Sequence, residues 1–368
     1  VLIAWEPLAS LALSFKVRAT AIRLSSRETS GPHPAWVDLG ETMGSRLLLR
    51  SLIAVLALAV GCDDAPLPQP AADTPRIRVS TPSTLGSGQL LLPDNRTSIK
   101  FAVIGDSGRG SAEQREVAEQ MRRFREAFEY DFVLMLGDNI YEGPATAEDY
   151  QRKFEEPYRE LLSANVKFFA ALGNHDDPRQ ISYPPFNMHG ERYYSFAPPE
   201  DVVTRLVTRA EFFALDSTNL DRAQLGWLDE RLAESDAEWK IVFLHHPLYT
   251  SGRYRRTARV HRWVLEPILV RHGVDVVFSG HEHIYQRSTL QHGIQYFVSG
   301  GAGSLRAGDG VAARYIARSY DDDYHFMLVE IENEALHFQA ISRHGKSIDA
   351  GTLSKVQPAR ARGTPDRR

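Results

Sequence analysis

Five times along this chain a short apolar run ends abruptly in polar side chains able to hold a metal ion or a proton. The runs are 99–104, 132–136, 167–172, 240–244 and 274–278. They lead into Gly105-Asp106-Ser107-Gly108, Gly137-Asp138-Asn139-Ile140-Tyr141, Gly173-Asn174-His175-Asp176, His245-His246-Pro247 and Gly280-His281-Glu282-His283. Runs of this length bounded by turn residues read as strands. Helical spacing fills the gaps: Val117, Met121, Phe124 and Phe128 recur at three to four residues, and 147–162, 224–234 and 258–272 carry similar patterns. The alternation predicts an α/β fold, with a largely parallel or mixed sheet and helices on both faces. A hairpin is expected over 326–341, turning near Asn333. In such folds loops converge at the C-terminal ends of the strands, where the polar segments fall.

Composition narrows the chemistry. Net charge is -4, from 43 basic and 47 acidic residues, so no nucleic-acid-binding surface is evident and no polybasic membrane arm is supported. A single cysteine excludes an intrachain disulfide framework and a cysteine-rich zinc site. The strand-end donors are carboxylates, a phenol, an amide and imidazoles. Without thiolates, that set suits iron, manganese or zinc. Each segment alone is an ordinary turn, since Gly-Asp and Gly-Asn recur in loops of all kinds. Their ordered recurrence after five strands carries the inference.

The ordered set resembles the calcineurin-like metallophosphoesterases, and within them the purple acid phosphatase branch with its small, tartrate-resistant acid phosphatase-like members. The resemblance covers about 98–345, including Arg192-Tyr193-Tyr194-Ser195-Phe196 and Tyr296-Phe297-Val298-Ser299-Gly300. Two residues mark the branch. Most of the superfamily has histidine two places after the first aspartate, where this chain has Gly108. The branch has tyrosine three places after the second aspartate, here Tyr141.

The resemblance implies an α/β fold of α+β sandwich type, with mixed β-sheets and flanking helices, and at the strand C-terminal ends a dinuclear centre that hydrolyses phosphate monoesters with metal-activated water. Asp106, Asp138, Tyr141 and His283 would hold Fe(III). Asp138 would bridge to a divalent Fe, Zn or Mn held by Asn174, His245 and His281. His175 and His246 would contact the small phosphoester substrate, with His175 a candidate proton donor. Many members carry a further substrate histidine where this chain reads Arg253-Tyr254-Arg255-Arg256. Arg253 is a candidate phosphate contact there, against the alternative of a solvated basic helix start. A phosphodiesterase or nucleotidase on the same metals is the alternative enzyme. A metal-retaining, inactive surface lipoprotein is the alternative of another class.

The N-terminal region reads differently. Arg46 and Arg50 precede LIAVLALAV at 52–60, which runs into Gly61-Cys62. That order describes a secretory signal over 43–62 and resembles a bacterial lipoprotein signal, which implies Cys62 as lipidation site and only contact with the membrane, against the alternative of a short buried strand or helix with an ordinary core cysteine. It predicts export to a bacterial cell envelope. Residues 1–42 are expected to be an upstream extension preceding the true start at Met43, and 63–97 a Pro-rich linker. Residues 98–350 are expected to form the catalytic domain and 351–368 a disordered tail.

Overall fold

The computed structural model describes residues 76–86, 88–198 and 208–356. The expectations for 1–42, for the signal and Cys62, and for 357–368 lie outside the described residues.

Two seven-stranded sheets form the fold. The first contains β1 (Arg76–Ser80), β2 (Ile99–Ile104), β3 (Phe132–Met135), β4 (Lys167–Ala170), β12 (His325–Glu332), β13 (Ala335–Ser342) and β14 (Ser347–Val356). Its order is β1-β14-β13-β12-β2-β3-β4. The second contains β5 (Tyr194–Phe196), β6 (Ala210–Leu215), β7 (Trp239–Leu244), β8 (Val276–Ser279), β9 (Tyr285–Ser288), β10 (Gln295–Ser299) and β11 (Ile316–Tyr320). Its order is β11-β9-β10-β8-β7-β6-β5. Each sheet has a parallel heart, β2-β3-β4 in one and β6-β7-β8-β10 in the other, flanked by antiparallel strands. The parallel strands are apolar without alternation because both of their faces are covered.

The sheets face each other through aromatic rings. Phe101 of β2 meets Phe212 of β6 edge-on at 5.3 Å and Phe278 of β8 at 6.1 Å, and Phe297 of β10 meets Phe338 of β13 at 4.9 Å. Side chains alternate across a strand, so the next residue in β6, Phe213, faces the other way. It joins Val242 and Leu244 under the helices α4 (Arg222–Glu234) and α5 (Arg255–Arg271), against Leu228, Leu232, Leu265 and Leu269. On the first sheet α1 (Ala112–Arg125) buries Val117, Met121 and Phe124; Ser111 caps it by accepting from Gln114 N.

Three expectations change. The helical stretch 147–162 is broken into α2 (Ala147–Tyr150), a π-helical turn at Gln151–Glu155 and α3 (Arg159–Ser163). Pro157 has no N–H to continue the ladder. The supposed linker 63–97 contains a strand, and the supposed tail 351–368 begins inside another. β1 and β14 pair antiparallel from Arg76↔Val356 to Ser80↔Thr352, so backbone hydrogen bonding extends the sheet past both expected boundaries. The 326–341 hairpin is β12–β13, with Asn333 at φ 50 in its turn.

Candidate metal centre

The five polar segments meet at one end of the sandwich, each just beyond the C-terminus of a parallel strand. The turns are sharper than glycine alone provides. Asp106, Asp138 and His281 themselves adopt left-handed backbone, at φ 55, 52 and 67. Such a conformation costs a non-glycine residue about 1–2 kcal/mol, and aspartate tolerates it better than most. Strain of this kind gathers where the surrounding structure fixes a functional side chain. Gly108 serves for closeness rather than turning. A Cβ there would lie 2.0 Å from Asn139 O, so no side chain fits where most of the superfamily has histidine.

The first sheet supplies oxygen donors and the second supplies nitrogen donors. Tyr141 Oη is 3.2 Å from Asp106 Oδ1 and 3.1 Å from His283 Nε2, and His283 Nε2 is 3.2 Å from Asp106 Oδ1. These three form one group. His245 Nε2 centres the other, 3.0 Å from Asn174 Oδ1, 3.1 Å from His281 Nδ1 and 3.4 Å from Asp138 Oδ1. His281 and His283 lie in the loop between β8 and β9, so they do not share a face of one strand as simple alternation would have it. Each reaches a different group.

This spacing fits cations. Donors about 2.1 Å from a shared ion, at right angles to each other, stand about 3 Å apart. The proton of His245 is also accounted for. Its Nδ1–H donates to Leu136 O at 2.9 Å, which leaves the Nε2 lone pair facing the centre.

Electrostatics agree. Burial, opposed by the His245 imidazole, pushes the Asp106 carboxyl up to about 8. Burial, and then Asp106 and Asp138, push the Tyr141 phenol well above its ordinary value. Burial lowers the imidazoles, His281 to about 2 and His283 to about 4. Neutral imidazoles are ready to ligate; Asp106 and Tyr141 hold their protons until a cation supplies the missing charge, while Asp138, where burial is outweighed by His245 and the His175 N–H, lies below the ordinary carboxylate value.

Two further carboxylates hold the loops, and the sequence reading gave neither a role. Asp176 accepts from Gly173 N at 2.8 Å, Ile140 N at 3.0 Å, Asn139 Nδ2 at 3.0 Å and Gln180 Nε2 at 3.0 Å. It therefore ties the Asp138 loop to the Asn174 loop. Glu282 accepts from Tyr254 N at 2.6 Å, Arg253 N at 3.2 Å and Thr250 Oγ1 at 3.3 Å, tying the histidine loop to the start of α5. Their adjacency to His175, and to His281 and His283, was the one available signal.

The substrate candidates fall unevenly. His175 is exposed, its ring 4.9 Å from that of Tyr141, and its backbone N–H donates to Asp138 Oδ1 at 3.0 Å. His246 lies 4.4 Å from the His281 ring and stacks on His261 at 4.8 Å; its Nδ1 meets Ser217 Oγ at 2.9 Å. Arg253 is exposed, and it is the backbone of this segment that Glu282 ties down. The residue of this segment that reaches the centre is Tyr254, whose ring lies 4.2 Å from that of His281.

Comparison with known proteins points the same way. Residues 99–285 match the profile of the Calcineurin-like phosphoesterase family. Purple acid phosphatase 17 of Arabidopsis thaliana is 31% identical over 234 residues, 56% of this chain and 69% of that protein. Purple acid phosphatase 4 of the same plant is 30% identical over 297 residues, 72% of this chain and 86% of that protein. Among solved structures, GAP50, described as the anchor in the inner membrane complex of Plasmodium, superposes with a TM-score of 0.61 at 19% identity, over 72% of this chain and 90% of its own. At that identity the likeness is one of fold.

Proposed function

Since this chain belongs to the calcineurin-like phosphoesterases, on their purple acid phosphatase branch, we propose that it hydrolyses phosphate monoesters at a centre of Fe(III) and a divalent Fe, Zn or Mn. The observation that carries this reading is the completeness of the donor set. Asp106, Tyr141 and His283 converge on one point, Asn174, His245 and His281 on another, and Asp138 lies among them. Phenol and carboxylate suit the trivalent ion, amide and imidazoles the divalent one. When bound, such a pair polarises phosphoryl oxygens and acidifies water.

The remaining work falls to the side chains. Asp106, Asp138 and Tyr141 give up their protons and hold negative charge at fixed positions. The Nδ1–H of His245 keeps its ring oriented through Leu136 O. His246, backed by Ser217 and His261, offers a second contact for phosphate oxygens. His175 stands at the open side and supplies a proton to the departing oxygen, which matters most when that oxygen leaves as an alkoxide. The signal-like 43–62 segment supports export, with anchorage through a lipid on Cys62.

Metal analysis and visible absorption of the purified protein, followed by a panel of phosphate mono- and diesters, test the reading. Iron with one further metal per chain, a phenolate charge-transfer band and preference for monoesters are expected. A preference for diesters would overturn the monoesterase assignment, and a metal-free active protein would overturn the centre. If Cys62→Ser still sediments with membranes after a high-salt wash, the lipid anchor is wrong.

A further inference from the structure

Two arginines flank the donor cluster, and their surroundings differ. Arg109 is engaged: its Cζ lies 3.6 Å over the Tyr141 ring, its Nε donates to Ser304 Oγ at 3.0 Å, and Glu142 Oε1 is 3.6 Å from its Nη1. Arg306 is not. Its backbone N–H donates to His283 O at 3.0 Å, which fixes its loop to the centre. Its Cζ stands 5.4 Å from the ring of Tyr254, which in turn lies 4.2 Å from the ring of His281. Its Nη1 is buried and has no hydrogen-bond partner, and no carboxylate among the described residues forms an ion pair with it.

A buried guanidinium N–H without an acceptor is costly. Here it stands behind Tyr254, whose ring faces His281 of the donor cluster. Tyr254 supplies a flat wall that holds the guanidinium through a cation–π contact and leaves its fork free. Planar, bidentate recognition of phosphate or carboxylate is what that fork does best. One competitor is near. Asp309, in the same turn, has a buried Oδ2 that is likewise unpartnered, and its N–H donates to Arg306 O at 3.4 Å.

We propose that Arg306, braced by Tyr254, forms an anion subsite beside the metal centre, selecting phosphomonoesters that carry a second anionic group, phosphate or carboxylate, close to the ester. The proposal rests on the hydrolase reading above and deepens it. Nothing is consumed at the subsite, which acts by binding alone.

Three substrates on one carbon frame test it: glycerol 2-phosphate, 2-phosphoglycerate and 2,3-bisphosphoglycerate. In the full-length, metal-loaded protein, kcat/KM should rise at least about tenfold, or about 1.4 kcal/mol, from the first to one or both of the others. The pair that differs most tells carboxylate from phosphate. Arg306→Gln should collapse that ratio towards one, lowering the two substrates with further anionic groups more than glycerol 2-phosphate, and Arg306→Lys should restore part of it. Asp309→Asn, by removing the competing carboxylate, should raise the ratio. Calorimetric titration with methylenediphosphonate against inorganic phosphate gives a readout independent of turnover. The diphosphonate should bind about tenfold tighter to wild type, and the margin should vanish in Arg306→Gln. Should either Arg306 variant fail to fold, the wild-type ratio, the wild-type titration and Asp309→Asn still decide. Equal kcat/KM across the three substrates, with equal binding of the two probes, overturns the subsite and leaves the hydrolase reading standing. Absence of all phosphoester hydrolysis overturns the hydrolase reading, while the titration still reports on Arg306.

Discussion

The two sheets bring opposite chemistry to the centre. The first contributes Asp106, Asp138, Tyr141 and Asn174, all through oxygen; the second contributes His245, His281 and His283, all through nitrogen. Neither sheet completes either donor group by itself. The oxygen side has charge without nitrogen donors, and the nitrogen side has neutral donors without charge. Each group of ligands draws on both sheets, so ions held there would act as rivets across the sandwich. Each side also has its own carboxylate brace outside the ligands, Asp176 on the first sheet and Glu282 on the second.

This division can be broken at its strongest point. Asp138→Asn should remove both metals and lower kcat by more than about 10³-fold, beyond the 10–100-fold typical of losing an outer partner. Metal stoichiometry with the phosphoester assay checks it, and retention of two metals would end the bridging assignment. Stripping metal from wild type should lower Tm as well, since an ion bound only by the folded chain stabilises it.

A smaller effect separates proton delivery from ligation. His175→Ala should keep its metals and lose about 10²-fold on an alkyl phosphate, with a lesser loss on nitrophenyl phosphate, whose leaving group needs no proton. The ratio of kcat/KM for the two esters is the measurement. Equal losses would assign His175 to phosphate binding.

The braces sharpen the comparison between sheets. Asp176→Asn should weaken metal held through Asp138 and Asn174, and Glu282→Gln metal held through His281 and His283, each by about 10–100-fold in affinity. Competition with a chelator would detect either loss. Identical behaviour of the two variants would mean that the centre responds as one unit and the division by sheet has no energetic counterpart. The smallest effect is spectroscopic. Tyr141→Phe should bleach the visible band while activity falls least among these variants. A colourless, fully active wild type would remove the phenolate.

Much of this arrangement was legible in the chain. Asp106, Asp138, Asn174, His245 and His281 each come just after a buried parallel strand, and such strands announce themselves as unbroken apolar runs. Their division between two sheets was not legible in the alternation itself, which reads equally well as one doubly wound sheet; only the family resemblance pointed to a sandwich. β1 escaped because an edge strand needs less apolar surface, β14, which lies between β1 and β13, because Ser, Asp, Gly, Thr and Lys interrupt its apolar residues, and β9 because its sequence, Tyr285-Gln286-Arg287-Ser288, is polar though buried. Arg287 is paired there with Asp349, at 2.7 Å from a strand far along the chain. Tyr254 and Arg306 escaped for the same reason as Arg287. Their importance lies in contacts across the fold, and no local pattern encodes those.

The tight packing at Gly108 bears on how such a centre could change over time. The carbonyl that excludes a side chain at position 108 belongs to Asn139, next to Asp138 and two residues before Tyr141. Gly108 N donates to Asp138 O and Tyr141 N donates to Gly108 O, so glycine and phenol belong to one backbone knot. A histidine at 108 would have to push that knot apart, displacing the residues it was meant to join. On this backbone a single substitution at 108 therefore does not reach the histidine-bearing ligand set; the two loops would have to be remodelled together.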